Sequence, residues 1–359
     1  MATKNLKRLG PQDKSQGRTL GKILGNATSQ FAWLLMRSRA RYLQSGFAII
    51  IFLSASVMFA CQVPVFRYAL ERWNPEAYPI VVVTPNEPSE SEKQQWMGDQ
   101  SERFSSYVRI EWKTPNELRD PAIRDRWAEA ENKTGLVVAY YPDKSELRQT
   151  IAHASPLGRN SFESLLNSPA RQEITKRLAS GQSAVWMLLE SGDLQKDQAA
   201  RTAIETQLSL DKEWLKLPTA EEMEIKQEVL DSVKIKLQVD FSVLSIKRDD
   251  PAERFLIDSL LNSEEDLNSF QEPIAFPIFG RGLVLYALVG KGINGDTIRA
   301  ASKFVCGPCS CQVKEQNPGF DLLLEHQWNE SIGEIFISQP IPGTGAQPKL
   351  LTIPPGRKK

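Results

Sequence analysis

The stretch AVWMLLESGDLQKDQ, residues 184–198, decides how this chain is built. Ala184 to Leu189 form a near-continuous apolar run, the pattern of a strand covered on both faces. Ser191-Gly192-Asp193 then breaks the run, and Asp193 is placed to cap a helix through LQKDQAARTAIETQL. The unit reads as strand, tight turn, helix.

The next segment, VKIKLQVDFSV (233–243), alternates strictly and predicts a strand with Val233, Ile235, Leu237, Val239, Phe241 and Val243 on one face. A helix follows, with Asp250 as N-cap, Pro251 as first helical residue and Glu253 as capping-box acid. Phe255, Leu256, Leu260 and Leu261 are its buried stripe. EPIAFPIFGRGLVLYALVGKG predicts two strands, Ile274–Phe279 and Leu283–Val289, joined at Gly280-Arg281-Gly282. GDTIRAASKFV is a last helix. Upstream, YPIVVV (78–83), SYVRIEW (106–112) and TGLVVAYY (134–141) predict strands. PSESEKQQWMGDQ (88–100) reads as helix or loop, 118–133 as a helix with Pro121 in its first turn, and 162–179 as helix interrupted near Pro169.

From residue 184 the order is strand, helix, strand, helix, strand, strand, helix. This order resembles the thioredoxin fold, with Pro277 standing where that fold has its strand-initiating proline. The expected class is α/β: a thioredoxin-like mixed sheet with flanking helices, preceded by one transmembrane helix. Residues 78–150 either form a similar half or extend the sheet, and no sequence repeat distinguishes the two.

Net charge is zero, but residues 1–41 hold nine Lys or Arg against the single acid Asp13. Tyr42 to Phe66 then carry no charge, and about 20 helical residues suffice to cross a bilayer core. Basic residues before the run and mixed charge after it place the amino end in the cytoplasm and the rest outside. The expected organisation is a basic, disordered arm at 1–41, an anchor at 42–66, a first α/β region at 67–160, a thioredoxin-like domain at 161–336 and a Pro/Gly-rich tail at 337–359. A short helix holding Tyr68, Leu70 and Trp73 joins anchor to domain. The alternative is a lipoprotein cleaved before Cys61, for which Met58 and Phe59 make a poor cleavage box. The basic arm lacks aromatic interleaving, so no nucleic-acid partner is expected; the lipid bilayer and a membrane-protein complex are.

Three of the four cysteines fall in FVCGPCSCQVKEQNPG (304–319). In thioredoxins CGPC opens a helix, whose amino terminus lowers the first thiol's pKa. Here that position is SGD, and CGPC follows the last helix instead. Three readings stay open: a structural bridge among Cys306, Cys309 and Cys311; a zinc or copper site of those three with His326; and catalytic exchange through Cys306 and Cys309. The first carries most weight, so no catalytic residue and no cofactor is expected, with copper or zinc as the alternative. Leu322 to Leu324 predict a short helix in which Asp321 and Glu325 are capping or solvated acids near Lys314, with acid catalysis as the sharper reading. Arg281 reads as a solvated hairpin arginine, with an anion or partner as alternative, and His153 as a loop residue.

VPVFRYALERW after the uncharged run, FGRG before LYALVGKG, and CSCQVKEQNPGFDLL together resemble a group of uncharacterised bacterial membrane-anchored proteins of similar length. The resemblance implies a single pass through the bacterial inner membrane with the bulk in the periplasm, and it implies no activity. The functional expectation is an extracytoplasmic accessory or assembly module without a classical active site. A thiol-disulfide oxidoreductase or copper/zinc chaperone acting through CGPCSC is the competing class.

Overall fold

In a computed structural model, residues 62–98, 105–130, 134–309 and 313–338 are described. The basic arm, the uncharged run up to Cys61 and the tail from Gln339 lie outside them. Among the described residues no helix is long and apolar enough to cross a membrane.

The chain enters through helix α1 (Val65–Arg72) and builds two mixed sheets with flanking helices. The first comprises β1 (Tyr78–Val83), β2 (Val108–Lys113), β3 (Leu136–Tyr140) and β4 (Ile151–Pro156), with α2 (Glu90–Met97) and α3 (Pro121–Glu129) between strands. Helices α4 (Ser161–Leu166) and α5 (Pro169–Ala179) follow, separated at Pro169 as expected. The second comprises β5 (Ala184–Glu190), α6 (Leu194–Trp214), α7 (Gln227–Ser232), β6 (Phe241–Lys247), α8 (Arg254–Leu261), β7 (Ile274–Phe279), β8 (Leu283–Val284), β9 (Leu288–Val289) and α9 (Gly295–Cys306). The short β10 (Phe320–Asp321) pairs with β8, and α10 (Trp328–Ile332) ends the described chain.

Both sheets repeat one topology. β1 pairs parallel with β2 and antiparallel with β3, which pairs antiparallel with β4. β5 pairs parallel with β6 and antiparallel with β7, which pairs antiparallel with β8. In each, the second strand is outermost, then the first, third and fourth.

Strand alternation sorts the core into layers. On β5, Val185, Met187 and Leu189 face a layer shared with Tyr78, Ile80 and Val82 of β1, filled by α4, α5 and α8. Ala184, Trp186 and Leu188 face outward into a second layer with α1, α6 and α9. Val81, Val83 and Val138 point the other way, onto α3. The central layer is therefore common to both sheets.

Several expectations are corrected. The alternating segment 233–243 forms a strand only from Phe241, where pairing with Ala184 begins. Before that the would-be partner turns away at Gly181 (φ +102), so Val233 and Ile235 separate into opposite core layers. Glu253 does not close a capping box. Asp250 caps a short 3-10 turn, Pro251–Glu253, and the Glu253 carboxylate instead accepts from Ala170 N–H at 2.6 Å. Pro277 lies inside β7 opposite Trp186; the proline before the strand is Pro273. Leu322 to Leu324 are buried but not helical. Finally, Val63, Val65 and Phe66, counted in the anchor from sequence, are buried in the folded unit.

The turn ahead of β10 depends on one glycine. Gly319 has φ +110, and a Cβ there would lie 2.0 Å from the Val284 carbonyl oxygen. Gly319→Ala should destabilise the protein by about 2–4 kcal/mol, through backbone strain plus overpacking. An unchanged urea midpoint would refute this.

Candidate functional site

In the second sheet, the position from which a helix amino terminus would activate a thiol is the β5–α6 turn. Asp193 accepts from the N–H groups of Gln195 and Lys196, at 3.0 and 3.2 Å. One oxygen of Asp197 accepts from Ser191 N–H and Oγ, both at 2.7 Å, and the other from Gly192 N–H at 3.0 Å. Two carboxylates thus occupy the donors that would stabilise a thiolate. The matching turn after β1, Thr84 to Ser89, has no cysteine either, and a Ser89–Glu92 capping box closes its helix start.

Cys306 is the last residue of α9, at the carboxyl end of the helix dipole. Burial pushes its thiol up to about 12, the nearby Asp211 carboxylate adds to the rise, and a hydrogen bond with Ser183 opposes it. Cys309 is also buried, and no disulfide joins the two. The segment between them clasps the entering chain: Val65 N–H donates to Gly307 C=O at 2.9 Å, Cys309 N–H donates to Val63 C=O at 3.0 Å, and Pro64 pairs with Pro308. Backbone hydrogen bonding at this loop therefore joins the start of the folded unit to the segment that follows α9.

His326 is not brought to these cysteines. Its Nε2 is 2.7 Å from Ser331 Oγ, its ring meets Trp328 edge-on at 4.8 Å, and its carbonyl accepts from the Tyr107 hydroxyl at 3.2 Å. Trp328 belongs to the central core layer, whereas Cys306 and Cys309 belong to the layer on the opposite face of the second sheet. Burial lowers the His326 pKa. Cys311 lies outside the described residues; of the three expected ligands that are described, Cys306 and Cys309 are neighbours and His326 is not. Among the described residues no three His, Cys, Asp or Glu side chains group as a metal site.

Around the clasp, a groove of about 740 Å³ is lined by Gln62, Trp214, Leu217, Lys303, Cys306 and Pro308. Below it, Asp211 is fully buried on α6, its Oδ1 accepting from Gln207 at 2.7 Å and Arg299 at 3.0 Å. Asp211 Oδ2 and Ser302 Oγ are buried without a hydrogen-bond partner among the described residues. Sequence reading missed this polar seam, because Asp211 and Trp214 sit in an ordinary amphipathic pattern that looks solvated.

A second concavity, of about 390 Å³, brings together Glu76, Lys144, Lys314 and Asp321. Asp321 is buried and is not a helix acid: its Oδ2 takes the Lys314 ammonium and the Glu76 N–H, the latter at 3.2 Å. Burial raises its pKa, and Lys314 opposes the rise. Lys314→Met removes the opposing cation, so the Asp321 carboxyl should titrate higher still. Carboxyl-carbon NMR would read the shift, and an unchanged or lower value would exclude Lys314 as its partner.

Arg281 and His153 are also inside. Arg281 Nε donates to Leu70 C=O at 2.7 Å and Nη1 to Asn74 Oδ1 at 2.6 Å, closing the carboxyl end of α1. His153 is on β4, with Nδ1 2.8 Å from Asp258 Oδ2. Both assignments replace the solvated and loop readings, because the partners come from segments distant in sequence.

No protein-family model matches the chain, and no curated protein matches it. Function therefore rests on the site geometry.

Proposed function

We propose that this chain is a membrane-anchored, extracytoplasmic accessory or assembly module on a degenerate thioredoxin-like fold, and that it binds partners instead of exchanging disulfides. The observation that carries this reading is the filled helix start. Where thiol chemistry needs a cysteine at a free amino terminus, Asp193 and Asp197 take the donors. The cysteines are at the opposite end of a different helix, and Cys306 is held protonated at neutral pH. The repeated strand order of the two sheets fits a tandem of such units. The uncharged run from Tyr42 and the basic residues before it support an anchor with its amino end in the cytoplasm.

The full-length chain, reconstituted in lipid nanodiscs, should reduce a test disulfide no faster than its reductant alone. In native gels of mildly solubilised membranes it should migrate in an assembly larger than its own size. Turnover above background that Cys306→Ala abolishes would replace this reading with the oxidoreductase one. Migration as a lone monomer would remove the assembly role.

A further inference from the structure

Four large apolar side chains are exposed among the described residues: Leu194, Leu210, Trp214 and Ile335. Leu210 and Trp214 are one helical turn apart, so they share a face at the carboxyl end of α6. Leu194 is at the other end of that 21-residue helix, about 30 Å away. Trp214 is half exposed, and two cations one turn apart on α9 lie over its ring: Arg299 Cζ at 5.2 Å and Lys303 Nζ at 5.6 Å from the centroid. Lys212 and Lys216 are exposed on the same stretch; Lys212 is paired with Asp240 at 2.6 Å, and Glu213 and Glu222 are further acids nearby.

This face also lies where the chain enters. Gln62, the first described residue, lines the same groove as Trp214 and Lys303. The residues immediately before it are the uncharged run that begins at Tyr42. An extended chain covers only about 3.3–3.6 Å per residue, so a segment leaving the bilayer near Cys61 cannot place Gln62 far from the headgroups. Tryptophan with flanking lysine and arginine is the composition that settles at headgroup level, the ring at the apolar boundary and the cations among phosphates.

We infer that the end of α6 carrying Leu210 and Trp214, with Lys216 and Lys303 beside it, rests on the lipid headgroups of the bilayer in which this chain is anchored. The inference depends on the anchored reading proposed above. It adds an orientation: the Cys306–Cys309 clasp faces the membrane, and the first sheet's outer layer is not part of the contact.

The test uses the full chain in vesicles of phosphatidylcholine and phosphatidylglycerol, made with ordinary or bromine-bearing acyl chains. The chain has eight tryptophans, so the Trp214 signal is the emission of the parent minus that of Trp214→Phe. Bromine should quench that difference at least about twofold, as expected for a ring at the interface. The double variant Lys216→Glu/Lys303→Glu should lose most of the quenching while its near-ultraviolet circular dichroism stays native. If Trp214→Phe does not fold, the charge-reversal variant is compared directly with the parent. Unquenched Trp214 emission in protein that still floats with the vesicles after an alkaline wash would overturn the contact and leave the anchor standing. Failure to float would overturn the anchor and the contact together.

Discussion

Glu71→Ala should cost about 3–5 kcal/mol, a large part of the stability of an ordinary domain, because it leaves a buried cation without its counter-charge. Glu71 and Arg67 lie one turn apart on α1, with side chains 0% and 1% exposed and Nε to Oε1 at 2.7 Å. The same carboxylate accepts from Ser338 N–H at 2.8 Å and Ile337 N–H at 3.2 Å, and Arg67 Nη1 donates to Ile235 C=O at 2.6 Å. Removing Glu71 strands the guanidinium and two backbone donors together. Arg67→Met/Glu71→Leu should recover much of the loss, since apolar replacement of a buried pair is often neutral. Urea unfolding of the three proteins measures both effects. A cost below about 1 kcal/mol for the single variant would mean that the pair reaches water.

Cys306 should react with a neutral-pH alkylating reagent about a thousandfold more slowly in the folded chain than in the denatured one. Burial moves its thiol from an ordinary 9.0 to about 12, and only the thiolate attacks. The sign of the linked stability follows. The folded state holds this proton more tightly, so its contribution is complete below about pH 9 and drains away as pH rises toward about 12. Cys306→Ala should flatten that alkaline limb. Peptide mapping of label at Cys306 against time is the measurement. Equal rates in folded and denatured protein would show an accessible thiol and reopen the redox reading.

Much of the second sheet, and two helix starts before it, were legible because local signals agreed. The unbroken apolar run at 184–189, the Asp193 cap, Pro121, Pro169 and the Gly280–Gly282 hairpin each announce a boundary by their own chemistry. β4 was missed because IAHASP offers little apolar alternation, and its pairing with β3 supplies what the letters lack. The opposite error occurred at 233–240, where faultless alternation found no partner to pair with. Leu322 to Leu324 were read as helix because a short apolar run has no resolvable period. In the structure they lie buried in the central layer, outside any helix or strand.

The candidate site was less legible. CGPC was correctly placed at the carboxyl end of a helix and away from a helix start, since that follows from element order alone. Its role as a clasp on Val63 and Val65, more than 240 residues earlier, has no local trace. Arg281 and Asp321 were read as surface groups, and Asp211 was not singled out, because charge in a sequence reports composition, while burial depends on which distant carbonyls and cations close around it.

Residue order alone was enough for the α/β class, the strand and helix order of the second half, and the displacement of CGPC from a helix start. These follow from short-range chemistry: periodicity, caps, prolines and glycines. The shared topology of the two sheets, the single core layer between them, the buried Arg67–Glu71 pair and the separation of His326 from the cysteines all required the folded chain. Each depends on contacts between segments far apart in sequence, where pairing partners and burial are settled by packing and not by neighbouring residues.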